Sequence, residues 1–556
     1  MEEIKNTNIT PKSRKDRFKL AHRDEVIHDT KFETKPVSYI QDCLRRFVKN
    51  KASVVAAGII AFIGLFAIFE PIIDPKNHVS EIDFVNGEFA DNHFKEVAPR
   101  CEWFLGTGFW DGTSVETINE TRYEVLSQSD SNYKYIVETI KENKPNLPPQ
   151  LIEQMGLSVT YEVRIDTYAI GNHNVYLSAD EYQKLQQYEI DKGIAGTAKS
   201  IIKPRLDITG YIDSLVTRWE SEGVSISERA TLKTKLTKFY DENKEAFYKV
   251  EPKKLDDGSY DDTSFEIMYD SAGKVQDIYK RDAEGNLEYA DVNNSQYTVR
   301  VDYFDYFEYR YGFAPTYLFG SNIEGKDILL RMALGVRFSL ILGISITLIN
   351  FIIGLIWGAI SGYYGGKVDL IMERFTDIIS AIPSIIIMSI ASIQFTNNRD
   401  LNAALGPSGV LIAAIFVAFI YNGWVGVAAT TRMQFYRFKG QEYVLASRTL
   451  GAKDSRLIFK HILPNSTGTL VTRSILMIPS IIFSEASLSY LGIINFDTSG
   501  IYSIGAMLNE GKEKLLTAPH ILLFPAVLIS LLMISFNLFG NGLRDAFNTT
   551  LRGSEG

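Results

Sequence analysis

Residues 442–465 read EYVLASRTLGAKDSRLIFKHILPN. The stretch is charged and amphipathic, and it is wedged between two long apolar runs. Arg437, Lys439, Arg448, Lys453, Arg456 and Lys460 make it and its approach basic. In a membrane protein, a short basic helix pair between two spans is a surface offered to a cytosolic partner. Gly451, lacking a Cβ, allows a sharp bend between the two helices. Pro464 is expected to stop the second helix before the chain re-enters an apolar run, because proline has no N–H and clashes with the preceding turn.

The charged fraction of the whole chain is 22%, which alone would suit a soluble protein. That average hides a segregation. A bilayer crossing needs about 20 apolar residues. Runs without a charged residue cover 52–69, 338–366, 378–398, 401–431 and 521–543, the fourth including an extramembrane piece around Gly406 and Pro407. The run 467–490 is also apolar but carries Arg473 and Glu485. The pattern predicts a polytopic α-helical membrane protein with six transmembrane helices. A cleaved signal peptide fits the first run poorly, since about fifty residues precede it and Glu70-Pro71 is a poor cleavage site.

Basic residues collect on the cytosolic side of a membrane protein. The segment 1–51 holds thirteen Lys and Arg against eight acids, with Arg45, Arg46, Lys49 and Lys51 beside the first run. It is expected in the cytosol. Six crossings return the carboxy terminus, with Arg544 and Arg552, to the same side, and the loop 432–466 falls there too. The chain then divides into a cytosolic segment (1–51), a first helix (52–70), an outer α+β domain (71–318) inserted between helices 1 and 2, and a helical core (319–556). The core spans fall at about 338–364, 374–396, 408–430, 467–490 and 519–543.

Acids outnumber bases clearly in the outer domain, and large domains translocate regardless of charge. The two cysteines, Cys43 inside and Cys101 outside, cannot pair with each other, so a disulfide scaffold is excluded. A hydrophobic core must hold the domain. Residues 160–170 alternate as a strand. The stretch 265–307 reads as a β-meander broken by turns at 270–273 and 282–285. Ser227 is placed to cap a helix running through Leu232, Leu236, Phe239 and Tyr240. The aromatic run 303–313, YFDYFEYRYGF, reads as core plus interfacial belt. His78, His93 and His173 stand singly, without the spacing of metal ligands, and Asp256-Asp257 and Asp261-Asp262 read as a solvated loop.

Residues 320–327, GSNIEGKD, nearly match the phosphate-binding pattern G-x-x-x-x-G-K-[ST]. That chemistry needs a Ser or Thr hydroxyl on magnesium after the lysine. Asp327 would instead set a carboxylate against the phosphates. The chain itself is expected to bind no nucleotide.

Several ordered blocks resemble the dipeptide and oligopeptide branch of ABC importer permeases. FGSNIEGKD (319–327) is similar to that family's L-G-T-D-x-x-G-R-D, with Gly320, Gly325 and Asp327 at matching positions. GYYGGKVD (362–369) resembles its first cytosolic turn. FSEASLSYLGI (483–493) carries Glu485 and Gly492. SIGAML (503–508) and FNLFGNGLRDAFN (536–548), with Gly542, Arg544 and Asp545, resemble the late external loop and the carboxy-terminal signature. The blocks span about 240 residues; the outer domain has no counterpart in the resemblance.

The family's coupling loop reads E-A-A, three residues, Gly, nine residues, I-x-L-P. Here Leu445 replaces the glutamate, Ala446 and Ser447 hold the small positions, Gly451 is in place, His461 replaces the isoleucine, and Leu463 and Pro464 fit. Glu442, Ala446, Ser447, Arg448, Gly451, Ala452, Asp454 and Pro464 are the residues the resemblance assigns to coupling. Small Ala446 and Ser447 permit close approach of an ATPase, and Arg448, Lys453 and Arg456 supply charge. Charge inside a membrane is costly and usually functional; Arg473 is near enough to the cytosolic side to snorkel, and Glu485 reads as a helix-packing group. Pro383 and Pro479 are placed to kink spans that rock.

The resemblance implies an ABC importer type I permease core: one permease subunit of an oligopeptide importer in the plasma membrane, not itself an enzyme. It implies a second homologous permease, two cytosolic ATPases that bind ATP and magnesium, and an extracellular lipid-anchored peptide-binding protein. It implies no metal, cofactor or nucleic acid on this chain. A permease for nickel or another small solute shares these motifs. A membrane sensor would need a cytosolic output domain, and few residues follow the last run. The large outer domain suggests an envelope without restrictive periplasmic spacing, as in Gram-positive bacteria.

Overall fold

The computed structural model describes residues 39–73, 94–130, 133–144, 159–255, 259–494, 496 and 501–547. The amino-terminal segment through residue 38, His78, His93, the Asp256-Asp257 pair and Arg552 lie outside them. Helix α1 (Tyr39–Lys49) has Asp42 in its first turn and Arg46 and Lys49 in its last, the order that suits the helix dipole. It leads into α2 (Lys51–Ile73), which is apolar almost throughout.

An α+β domain lies in the chain between α2 and the next long apolar helix. It opens with β1 (Thr113–Asn119), α3 (Glu120–Ser127), β2 (Ile136–Asn143) and β3 (Thr160–Asp166), forming an antiparallel sheet of order β1-β3-β2. Then come β4 (Asn172–Ser178), α4 (Ala179–Lys192), β5 (Ile202–Lys203), α5 (Ile208–Ser221), α6 (Ile226–Glu242), β6 (Val250–Lys254), β7 (Tyr260–Ile267), β8 (Ala290–Asn293), β9 (Gln296–Asp302) and α7 (Tyr303–Tyr311). Strand β9 is central, paired antiparallel with β4 from Asn172 opposite Asp302 to Ser178 opposite Gln296. A two-residue hairpin joins β8 to β9 through Asn294 and Ser295, both at positive φ, the backbone that matches the twist of a tight hairpin.

One face of β9 buries Val299 and Val301 against Val175, Leu177, Leu185, Phe94 and Phe307. A second lobe packs α5 and α6 around Trp219, with Leu232, Leu236, Phe239, Tyr240 and Tyr248. Two expectations need correcting. Ser225 caps α6, its hydroxyl accepting from the Glu228 N–H at 3.2 Å, so Ser227 is inside the helix; the S-x-x-E spacing starts at Ser225. The stretch 265–307 is not one meander: β7 pairs with β6 and β8 with β9, and only isolated bridges such as Tyr269 to Val275 and Arg281 to Leu287 lie between. Its two turns do close, at Asp270 to Gly273 and Asp282 to Gly285. The aromatic run 303–313 starts with helix α7, which buries Tyr303, Phe304, Tyr306 and Phe307. Phe94 meets Phe307 edge-on at 5.1 Å. These four rings are core, as expected of the run.

The helical core follows as α8 (Ile328–Tyr364), α9 (Gly366–Ser380), α10 (Ser384–Thr396), α11 (Arg399–Gly423), α12 (Val425–Lys439), α13 (Glu442–Thr449), α14 (Leu463–Ile475), α15 (Met477–Tyr490), α16 (Ile504–Glu513) and α17 (His520–Phe547). Among the described residues five helical stretches are long and apolar enough to cross a membrane: Lys51–Ile73, Ile328–Tyr364, Arg399–Lys439, Asp454–Tyr490 and His520–Phe547. Helices α9 and α10 make a sixth if the pair, bent by 67°, crosses as one. Pro383 stands at that bend. Gly406, at φ 70° and ψ 170°, breaks α11 just before Pro407.

Helix α8 is the axis of the core. On one face it carries Gly354, Gly358 and Gly362, and a Cβ at each would run into Val427, the Ala428 carbonyl or the Arg432 carbonyl of α12. Small residues every fourth position let two helix backbones approach where lipid offers no hydrophobic driving force. The α+β domain is tied to the far end of α8. The Ser321 hydroxyl accepts from the Val97 N–H at 2.9 Å, and Lys514 pairs with Glu96 at 2.6 Å.

Candidate functional site

At the other end of α8 the segment 440–464 forms a compact projection. Helix α13 presents its apolar Val444 to a small core with Tyr363, Phe435, Leu457 and Ile462. The opposite face exposes Glu442, Leu445 and Ala446, and Leu450 at its end is 89% exposed. The helix ends in a Schellman motif: Gly451 N–H donates to the Arg448 carbonyl at 2.9 Å and Ala452 N–H to the Ser447 carbonyl at 3.1 Å. That motif needs a left-handed residue, and Gly451 sits at φ 84°. The bend foreseen at Gly451 is there.

Asp454 then starts a short turn (Asp454–Arg456) that runs through a π-helical segment (Leu457–Ile462) into α14. Pro464 does not stop this helix. It lies in the first turn of α14, where a missing N–H leaves no bond unmade, and the wider π turn just before it takes up the register. The two arms of the projection touch through Ser447 and His461 at 3.3 Å and through Asn465 and Tyr443 at 3.2 Å.

Tyr363, near the end of α8, joins this projection to the core. Its hydroxyl donates to Asp454 and accepts from Arg448 at 3.4 Å. Its carbonyl accepts from Lys439. Arg448 and Lys439 also stand over its ring, at 5.9 and 5.7 Å. In the first turn of α9, Asp369 accepts from Arg432 through both Nε and Nη2 and from the Tyr436 hydroxyl at 2.7 Å, with Ser361 bonded as well. A bidentate Arg–carboxylate pair is both strong and directional. Polar contacts and the glycine stripe thus join α13 and the Asp454 turn to α8, α9 and α12. Tyr363, Asp369 and Arg432 were not singled out from sequence, although the block 362–369 contains the first two.

The remaining motif positions lie elsewhere. Gly320, at φ 78°, packs so tightly that a Cβ would meet His520 and the Val97 carbonyl at 2.6 Å. Gly325 closes a turn on Asn322 at 3.0 Å. Asp327 caps α8 by accepting from the Leu329 N–H at 2.8 Å, which is the work its carboxylate does in the near-match to a phosphate loop. Glu485 is fully buried and accepts from Ser339 at 3.0 Å and from Ser503, bridging α8, α15 and the start of α16. Gly492 follows α15 in the left-handed region, its N–H bonded to Ser489 at 2.9 Å. Gly542 lets α17 press on Ser53 of α2, and the Ser53 hydroxyl donates to the Leu538 carbonyl at 3.0 Å. Arg544 and Asp545 are exposed at the end of α17. Arg473 is exposed on α14, and a Cβ at Gly426 would come within 3.5 Å of it.

Residues 354–553 match the family described as the binding-protein-dependent transport system inner membrane component. Residues 38–86 match the N-terminal transmembrane domain of oligopeptide transport permease C. The chain is 40% identical over 234 residues to an oligopeptide transport system permease protein of Bacillus subtilis, covering 42% of this chain and 72% of that one. It is 38% identical over 239 residues to a dipeptide transport system permease protein of the same organism, covering 42% and 69%. An oligopeptide transport system permease protein of Haemophilus influenzae is 36% identical over 239 residues, covering 42% and 72%. Nearly all of the described α+β domain falls between the two family matches.

Proposed function

Since the chain belongs to the family of inner-membrane permeases of binding-protein-dependent transport systems, we propose that it is one permease subunit of an ATP-driven importer of oligopeptides. It forms half of the pathway with a second, homologous permease. Of two cytosolic ATPases, which carry ATP and magnesium, one docks on the 440–464 projection, and an extracellular lipid-anchored binding protein delivers peptide. The supporting observation is an exposed projection wired through Tyr363 into the longest helix of the core. Closure of the ATPases pulls on α13 and the Asp454 turn. Tyr363 and the glycine contacts carry that pull into α8 and α12, and the bend at Pro383 gives α9 and α10 room to follow.

In this reading α9 and α10 cross together, which makes six spans and places both termini in the cytosol and the α+β domain outside. The basic residues 437–460 then face the cytosol, as positive loops do. The domain sits over the outer end of α8 and α17, placed to meet the binding protein or cap the entrance. The test is uptake of a short labelled peptide by cells lacking this chain, with and without its restoration. Loss and rescue are expected. Unchanged uptake in cells without another peptide importer would overturn the peptide assignment.

A further inference from the structure

The loop 101–112 of the α+β domain reaches down beside the first turns of α17. Trp110 stacks on Phe524 of α17 at 5.6 Å and on Phe319 at 5.8 Å. Phe104 and Phe109 pack on Trp110 in turn, at 6.2 and 5.5 Å. Beside this half-exposed stack the loop turns further apolar groups outward. Trp103 is 92% exposed, and Leu516, on the neighbouring turn before α17, is 96% exposed. Leu105, Phe109 and Leu515 are exposed as well. Gly106 and Gly108, both at φ 77°, permit the tight reversal that presents these tips. Between β1 and α17 lies a crevice of about 750 Å³, lined by Phe109, Trp110, Leu516 and Phe524 and, at its polar margin, by Glu96, Glu116 and His520.

Apolar surface of this extent is rarely left to water. What covers it follows from the surface it continues. Below the crevice, α17 exposes Leu523, Val527, Leu531 and Ile534, and α2 exposes Phe62, Leu65, Ile68, Phe69 and Ile72. These are large side chains. Where this protein packs helix on helix most closely it uses small residues, as on α8, and that is the general rule between membrane helices. Large aliphatic stripes without a small-residue seam face lipid. Trp and other amphipathic rings gather at the level of the headgroups, and the Lys514–Glu96 ion pair stands beside the crevice with its 2.6 Å contact.

We propose that the 103–109 loop and the crevice between β1 and α17 are immersed in the outer leaflet, where the crevice holds phospholipid acyl chain. Lipid thereby moors the α+β domain at a fixed height over the core. The orientation rests on the reading above, but the mooring does not depend on what is transported.

The test uses the assembled transporter in nanodiscs of phosphatidylcholine with bromine-labelled acyl chains, against unlabelled nanodiscs. The chain has five tryptophans, so the emission of Trp103 is taken as the difference between the native complex and Trp103→Phe. Trp103 is expected to lose most of its emission to brominated lipid and to resist aqueous iodide. Quenching by iodide and not by lipid would place the loop in water and overturn the proposal. Resistance to both would show a protein covering the patch, which overturns it equally. Peptide uptake, measured separately, reports on the transport reading, so the two can fail independently.

Discussion

The α+β domain and the helical core of this chain are held together by opposite means. The domain buries large aromatic rings: Trp219, Tyr248, Tyr303, Tyr306, Phe94 and Phe307 are all fully buried. The core, though it too buries Phe435 and Phe496, brings its helices closest over glycine, serine and alanine, and bonds Glu485 to Ser339 and Ser503 and Asp369 to Arg432. Water is the cause of the first pattern, because removing a ring from water is a large favourable term. Lipid is the cause of the second. It gives no reward for burying an apolar side chain against another, so contact depends on close approach and on hydrogen bonds. One chain thus uses two solvents and two kinds of packing.

That contrast can be broken from either side. Trp219→Ala in the domain should cost about 3–5 kcal/mol, the usual loss for a buried aromatic truncation. Hydrogen exchange in the full chain should then speed up across α5, α6 and β6 while α8 and α12 stay protected; loss of protection in both would show one cooperative unit. On the core side, Gly358→Val places atoms on the Ala428 carbonyl, an overpacking worth about 1–3 kcal/mol. The variant should assemble poorly and transport little, and normal assembly would discard the close-approach account.

An effect of comparable size tests the joint between core and projection. Tyr363→Phe removes the hydroxyl shared by Asp454 and Arg448, at a cost of about 1.5–3 kcal/mol for a bond to a charged group. Uptake should fall while ATP hydrolysis persists, and an equal fall in both would mean the hydroxyl only stabilises the fold.

The smallest expected effect lies in the domain's polar interior. Burial next to Asp305 pushes the Asp302 carboxyl up to about 7. A carboxyl whose pKa is raised on folding holds its proton in the folded chain and releases it in the unfolded one, so stability is lost as pH rises toward that value. Lowering the pH from about 7.5 to 6 should therefore raise the protection of β9 and α7, taken against the intrinsic exchange rate at each pH, by about 1 kcal/mol. Asp302→Asn should flatten that dependence; an unchanged slope would assign it to another group.

How much of this was legible beforehand varies with the distance over which each feature acts. The bend at Gly451 and the break at Gly406 are local backbone properties, and both stand where the residues put them. Ser225 was legible too, since S-x-x-E is a local pattern, but the spacing was read from the wrong serine. The role of Pro464 was not, because a proline ends a helix or begins one according to what precedes it, and here a π turn precedes it. Tyr363 and Asp369 were beyond reach. Their partners are 91 and 63 residues away, and one tyrosine among the chain's 29 carries no local sign of its use.

The sequence by itself determined that this is a helical membrane protein with a basic projection between two apolar runs, and that a sizeable soluble-type domain interrupts it. Charge segregation and apolar run length decide those things residue by residue, without reference to partners. Only the tertiary structure decided that glycines on α8 meet α12 and that the projection is wired to the core through one tyrosine. Each of these rests on which distant surfaces come within a few ångströms of each other. Helix and strand periodicity say which face is available to be buried. They do not say against what.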